Sequence, residues 1–174
     1  GNSPDLLALI DNYGADAIRF GIMVSSPAGN DLMFDEATLE QGRNFNNKMW
    51  NALKLVKMWE QNRIKAGEAV LAIPLAEKNF AISWFESKLN ENKKNVESMM
   101  SQFRLSEALK TIYSLIWDDF CSWYLEWVKP GFEQRIEAEV YEKTVSFFED
   151  LMQLLHPFMP FVTEEIYHRL KEQS

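Results

Sequence analysis

The stretch of sequence that decides the fold is Glu40-Gln-Gly-Arg-Asn-Phe-Asn-Asn-Lys-Met-Trp-Asn-Ala-Leu-Lys-Leu-Val-Lys57. Apolar or small residues recur every three or four positions in and around it, at Leu39, Gly42, Phe45, Met49, Ala52, Val56 and Trp59. This spacing places them on one face of an α-helix. Asp35 precedes a run of good helix formers and suits the positive end of the helix dipole. The sequence therefore predicts one long helix from about Asp35 to Asn62, with one buried face.

A second face of this helix is polar and basic. It carries Arg43, Asn47, Trp50, Asn51 and Lys54, flanked by Asn44, Lys48 and Lys57. Cations suit phosphates, amides suit the edges of unpaired bases, and an exposed tryptophan suits stacking on a base. The pattern is typical of an RNA-binding face. The alternative is a solvated helix face whose asparagines only bond to neighbouring loops.

The charge distribution restricts where RNA could bind. The protein has a formal net charge of −8 and a sequence pI of about 4.9, which usually argues against nucleic acid. Between Gln41 and Met58, however, there are four basic residues and no acidic one. The segment from Glu133 to Asp150 has six acidic residues and two basic ones. We therefore expect RNA only on the long helix.

Composition indicates one domain that folds without disulfides. The chain has 174 residues, of which 47% are hydrophobic, and this is enough for a sizeable core. Cys121 is its only cysteine, which excludes an internal disulfide or a cysteine-based zinc site and fits a reducing compartment. No apolar run approaches the length of a membrane span, and no signal peptide opens the sequence. We expect a cytoplasmic protein with no membrane partner.

The rest of the chain predicts further helices and no strand. Two short helices precede Asp35, and three longer amphipathic segments follow, at 75–100, from about 106 to 127, and at 139–156, with a last short helix after Pro160. We predict an all-α fold, an antiparallel up-and-down bundle of four main helices with a small N-terminal helical appendage. Helical spacing assigns one set of large side chains to the core: Phe80, Trp84 (or Ile82), Leu89, Val96, Leu109, Tyr113, Ile116, Phe120, Trp123 and Trp127. Core packing also explains most of the aromatic group Trp117, Trp123, Tyr124 and Trp127.

No reaction centre emerges from the sequence. His156 and His168 are twelve residues apart and have no cysteine partner, so a structural role is the simpler interpretation. Asp118-Asp119 lies in an apolar helix, but a carboxylate-bridged metal enzyme would need Glu-x-x-His motifs on other helices, and none is present. We predict no catalytic residue, no metal site and no cofactor in this chain, and we expect a basic side chain to pair with the acidic pair.

Five motifs resemble a known family, in family order along nearly the whole chain. They are Gly1-Asn-Ser-Pro-Asp5, Tyr13-Gly-Ala-Asp-Ala-Ile-Arg-Phe20, Gly42-Arg-Asn-Phe-Asn-Asn-Lys-Met-Trp-Asn51 after Ser26-Pro-Ala-Gly-Asn-Asp31, His156-Pro-Phe-Met-Pro-Phe-Val-Thr-Glu-Glu-Ile166 and, more weakly, Asp119-Phe-Cys-Ser-Trp-Tyr-Leu-Glu126. The chain resembles the anticodon-binding region of a class I aminoacyl-tRNA synthetase, and within that class the valyl-tRNA synthetases. The catalytic signatures of the family, His-x-Gly-His and KMSKS, are absent from the sequence.

The resemblance implies a fragment of a valine–tRNA ligase, an enzyme that joins valine to its tRNA with ATP and Mg²⁺. Residues 1–34 would be a connector following the catalytic domain, and residues 35–174 the anticodon-binding bundle. The partners would be valine tRNA and the catalytic and editing domains of the same parent chain.

The resemblance also suggests roles for the polar face of the long helix. Trp50 would stack on a base. Asn44, Asn47 and Asn51 would contact base edges or sugars, and Arg43, Lys48 and Lys54 would contact phosphates. The rival hypothesis is a helical protein-interaction module with no RNA role, which would show a contiguous exposed apolar patch instead of a basic stripe.

Overall fold

The computed structural model describes residues 4–26, 35–65, 75–131 and 134–172. Every element in these ranges is a helix: α1 (Leu6–Tyr13), α2 (Ala15–Val24), α3 (Glu36–Lys65), α4 (Leu75–Ser101), α5 (Leu105–Ser114), a π-helical segment (Leu115–Tyr124), α6 (Leu125–Val128), α7 (Ala138–Leu155) and α8 (Pro160–Lys171). The π segment continues directly from α5 and into α6, so residues 105–128 form one rod, the third rod. The predicted all-α bundle of four main helices is confirmed.

The bundle places α3 and α4 at opposite corners. The third rod and α7 lie between them, and each packs against both α3 and α4. Helix α8 returns along α7 and also contacts α3, and α2 packs against α3, the third rod and α8. No helix in the described ranges is both long enough and apolar enough to cross a lipid bilayer.

The apolar face of α3 forms one side of the core, as its spacing predicts. Leu39, Gly42, Phe45, Met49, Ala52, Val56 and Trp59 are all buried. The backbone amide of Ala37 donates to the Asp35 carboxylate at 2.9 Å, so Asp35 caps the start of the helix. A Cβ atom at Gly42 would lie 2.8 Å from the carbonyl oxygen of Ala17. Glycine at this position is what lets α2 approach α3 so closely.

Two of the five family motifs bind each other across the fold. The buried Asp16 carboxylate accepts hydrogen bonds from the backbone amides of Phe161 at 3.3 Å and Val162 at 2.6 Å, and so caps the first turn of α8. The Arg19 guanidinium donates to the carbonyl oxygens of Phe158 at 3.0 Å and Pro157 at 3.1 Å. We call these four hydrogen bonds the α2–α8 clamp.

The predicted division of the chain at residue 34 falls outside the described residues, which omit 27–34. The clamp holds α2 to the far end of the sequence, and α2 also packs on α3. Residues 1–34 as a connector and 35–174 as the bundle therefore stay a prediction.

The inward assignment of three aromatic side chains was wrong. Phe80 is 64% exposed, Trp123 56% and Trp127 45%. The cause in the third rod is the π segment: its i→i+5 hydrogen bonds widen the turn and shift the register that α-helical spacing assumes. As a result Tyr124 and Val128 enter the core in place of the two tryptophans. In α4 the ring that enters the core is that of Phe85, which is fully buried.

A candidate nucleic-acid interface on helix α3

Five of the predicted RNA-contacting residues share one solvent-facing surface. Arg43, Asn44, Asn47, Asn51 and Lys54 are all exposed along α3, and we call them the outer face of α3. From Arg43 to Lys54 this face extends roughly 16 Å along the helix axis. It contains amides and cations and no acidic residue, in a protein that is acidic overall.

Most of the outer face makes no side-chain bond within the described part of the chain. Asn44, Asn47, Asn51 and Lys54 have neither a hydrogen bond nor an ion pair there. Arg43 is the exception, because its guanidinium pairs with Glu40 at 2.7 Å and lies 5.4 Å from the centre of the Tyr13 ring. Both partners of that ion pair are exposed, so it holds Arg43 only weakly.

The flanking Lys57 has a structural role. Its ammonium pairs with Glu60 at 2.6 Å and donates to the backbone carbonyl oxygen of Glu172 at 2.7 Å. These contacts tie α3 to the end of α8, and they separate Lys57 from the outer face.

The expectation that Trp50 is exposed was wrong. Trp50 is half-buried and packs on the core, because its side of α3 meets α8. The Arg169 guanidinium of α8 lies 5.8 Å from the centre of its ring, and Arg169 is itself paired with Glu165 at 2.8 Å. Trp50 therefore lies at one rim of the outer face, with a cation already on its ring.

The opposite rim of the outer face is built by Lys48 and Trp117. Lys48 is half-buried, and its ammonium lies 5.3 Å from the centre of the Trp117 ring. Trp117 belongs to the first turn of the π segment and is half-buried as well. Tyr113 stacks on Trp117 with ring centroids 5.6 Å apart. Trp117 also packs against the core, as the sequence predicts for most of its aromatic group. Only the tertiary fold shows that Lys48 of α3 lies over its ring.

The sequence matches the model of one known protein family. The family model described as "Anticodon-binding domain of tRNA ligase" matches residues 83–174, just over half of the 174 residues. The chain belongs to this family. The matched residues cover most of α4, the third rod, α7 and α8. They include Trp117 and Arg169, and they do not include α3.

Curated relatives match this anticodon-binding domain over its whole length. Proteins named valine–tRNA ligase are 51% identical over 174 residues in Phocaeicola vulgatus and 37% identical over 178 residues in Symbiobacterium thermophilum, each covering 100% of the chain. The one from Porphyromonas gingivalis is 50% identical over 170 residues, or 98% of the chain. The chain spans only 19% of the length of each of these relatives.

A second exposed feature of the domain is an aromatic cluster at the opposite corner, formed by Phe80, Trp84, Trp123 and Trp127. Trp127 is its centre, with ring centroids 6.0 Å from Phe80, 5.3 Å from Trp84 and 5.9 Å from Trp123. The Lys88 ammonium lies 6.0 Å from the centre of the half-buried Trp84 ring. This is the kind of exposed apolar patch that the rival hypothesis requires.

Three other titratable groups, those of His156, Cys121 and Asp119, lie outside the outer face of α3. His156 Nδ1 hydrogen-bonds to the Thr163 hydroxyl at 2.8 Å, within the turn between α7 and α8. Burial raises the pKa of Cys121 to about 12, so its thiol stays protonated at neutral pH. Burial also raises the pKa of the half-buried Asp119, which Lys88 partly offsets. Within the described residues, no group of three or more His, Cys, Asp or Glu side chains is placed to hold a metal ion.

Proposed function

We propose that this chain is the tRNA-binding domain of a valine–tRNA ligase, and that the outer face of α3 binds the anticodon loop of valine tRNA. The observation that carries the proposal is the outer face itself. It holds three exposed asparagines and a lysine that have no bonding partner among the described residues, in an acidic protein of an anticodon-binding family. The proposal of valine as the amino acid rests on the names of the curated relatives, which are valine–tRNA ligases.

The chemistry of this face suits an unpaired loop. Bases in a loop can splay out and present their edges, and an amide can donate to and accept from such an edge at once. Lys54 and Arg43 offer cations to the backbone on either side of the amides. Because Asn44, Asn47, Asn51 and Lys54 have no partner in the described fold, RNA can bind them without first breaking a protein bond.

This face would help the ligase to select valine tRNA, because it would bind that tRNA with a more favourable free energy than it binds other tRNAs. The chemistry of aminoacylation would occur in other parts of the ligase, in the cytoplasm, with ATP and Mg²⁺ held there.

The test is a binding titration of the chain with valine tRNA transcript at two salt concentrations. A transcript with an altered anticodon loop serves as the RNA control. We expect salt-sensitive binding that weakens with the altered loop, and weakens again when Asn51 is replaced by alanine. Asn95→Ala is the matched protein control, because Asn95 is also exposed and forms no side-chain bond within the described residues, but lies on α4, at the opposite corner.

The rival hypothesis, a helical protein-interaction module with no RNA role, is favoured by one observation, the aromatic cluster. The titration separates the two. If Asn51→Ala and Asn95→Ala both bind the two transcripts as the unchanged chain does, the outer face is not an RNA surface. That result would favour the protein-interaction module.

A further inference from the structure

We propose that Trp117 is a base-stacking residue at the rim of the outer face, and that Lys48 covers its ring until RNA binds. This inference rests on the proposed function and adds a further RNA-binding residue to it. On binding, an unpaired base of the anticodon loop takes the place of the Lys48 ammonium on the ring. The ammonium then moves to a neighbouring phosphate.

The position of Trp117 beside the outer face follows from direct packing. The π segment contacts α3, and the Lys48 ammonium reaches 5.3 Å from the Trp117 ring centre. Asn44 and Asn51 lie four and three residues from Lys48, so they are its neighbours along the helix surface. A base stacked on Trp117 would therefore sit next to two free amides.

The ring of Trp117 is packed against two other aromatic rings. Tyr113 stacks on it at 5.6 Å, and the Phe45 ring lies 6.5 Å away. The Ser122 hydroxyl donates to the backbone carbonyl oxygen of Trp117 at 2.9 Å, which supports the π turn that positions it. A flat ring fixed in this way loses little freedom when a base stacks on it.

Lys48 is the neighbour that can leave. Its ammonium has no hydrogen bond or ion pair within the described residues, and its stem has several rotatable bonds. A cation on a partly exposed ring contributes less than a stacked base does. Exchanging the cation for a base is therefore favourable, and the freed ammonium gains a phosphate.

Trp50, at the other rim, is less suited to the same exchange. The cation on its ring is Arg169, which Glu165 holds at 2.8 Å. That ion pair is exposed and therefore weak, so it disfavours the exchange only slightly, whereas Lys48 has no ion pair within the described residues. Trp50 remains in the proposed interface as a flanking residue.

The experiment compares Trp117→Leu with Trp84→Leu, using a synthetic anticodon stem-loop of valine tRNA that carries 2-aminopurine in the loop. Trp84 is the matched control, because it is also half-buried with a lysine ammonium over its ring, but lies on α4 away from α3. We expect Trp117→Leu to weaken binding roughly 5- to 150-fold, the range for one lost base stack. Trp117→Phe should recover part of the affinity, and Trp84→Leu should bind as the unchanged chain does.

A second measurement does not depend on how well the leucine variants fold. The chain is labelled with 5-fluorotryptophan, and the ¹⁹F resonances of Trp117 and Trp84 are assigned with Trp117→Phe and Trp84→Phe. Titration with the stem-loop should shift the Trp117 resonance and leave that of Trp84 in place.

The outcomes separate this inference from the proposed function. If Trp117→Leu binds as tightly as Trp84→Leu and the Trp117 resonance does not move, while Asn51→Ala still weakens binding, then the stacking site is refuted and the RNA role of α3 stands. If Asn51→Ala also has no effect, both proposals fail.

Discussion

The α2–α8 clamp and the outer face of α3 are both built from family motifs, yet they differ in one physical respect. In the clamp, Asp16 accepts two hydrogen bonds from backbone amides of α8. Arg19 donates two hydrogen bonds to backbone carbonyl oxygens of the α7–α8 turn. On the outer face, four of the five side chains have no bond within the described residues. Motif matching gives the two regions equal weight. Their hydrogen bonding differs: the side chains of the clamp hold the fold, whereas most side chains of the outer face have no bond within the described residues and are free to bind.

The largest effect should come from Asp16→Ala. This change removes the acceptor of two amides at the start of α8, and it leaves the buried amide of Val162 without that partner. We expect a loss of about 2–3 kcal/mol in the free energy of unfolding, measured by urea titration. Asp11→Ala is the control, since Asp11 is exposed and should cost almost nothing. A change below 0.5 kcal/mol, on the order of a surface substitution, would remove Asp16 from the clamp.

Gly42→Ala should have the next largest effect on stability. The added methyl group would meet the backbone of Ala17 at 2.8 Å and 2.9 Å, so α2 and α3 must move apart. We expect a loss of about 1–3 kcal/mol in the free energy of unfolding. Asn47→Ala, on the outer face of the same helix, should leave stability unchanged or slightly raised because alanine favours helices. Equal stability of the two variants would contradict the close approach.

Asn47→Ala should instead affect RNA binding. We expect the affinity for valine tRNA transcript to fall about tenfold, as when a polar contact to a base edge is lost. The free energy of unfolding should match that of the unchanged chain. If Asn47→Ala lowers the free energy of unfolding and leaves the affinity for the transcript unchanged, Asn47 stabilises the fold and does not bind RNA.

The smallest effect should be that of Lys54→Ala, which removes one candidate phosphate contact. The slope of log affinity against log salt concentration should decrease by about one unit, with no change in preference between the two transcripts. Lys94→Ala is the matched control, because Lys94 is exposed on α4 at the opposite corner. Equal slopes for the two variants would place Lys54 outside the interface.

Much of the fold follows from spacing alone. The long helix, its cap at Asp35 and its buried face are read from period and composition, because amphipathic helices must bury one stripe. The exposure of Trp123 and Trp127 could not be predicted in this way. A π segment changes the angle between successive side chains, and the spacing of the apolar residues does not predict where such a segment occurs.

The candidate site was predictable only in part. The exposed amides and Lys54 follow from the helix face on which they lie. The burial of Trp50 depends on where α8 packs, and the contact between Lys48 and Trp117 joins residues 69 positions apart in sequence. The clamp is similar, since Asp16 and Val162 are 146 residues apart. Tertiary contacts of this range leave no periodic trace in the sequence.

The most direct test of the central claim is a paired measurement on one variant, in which Asn47, Asn51 and Lys54 are all alanine. Its urea unfolding and its affinity for valine tRNA transcript are measured beside those of the unchanged chain. We predict a free energy of unfolding within about 0.5 kcal/mol of the unchanged value, and binding reduced to the level seen with the altered anticodon loop. A variant that is equally stable and still prefers the unaltered transcript would contradict the assignment of the outer face of α3 as the RNA surface.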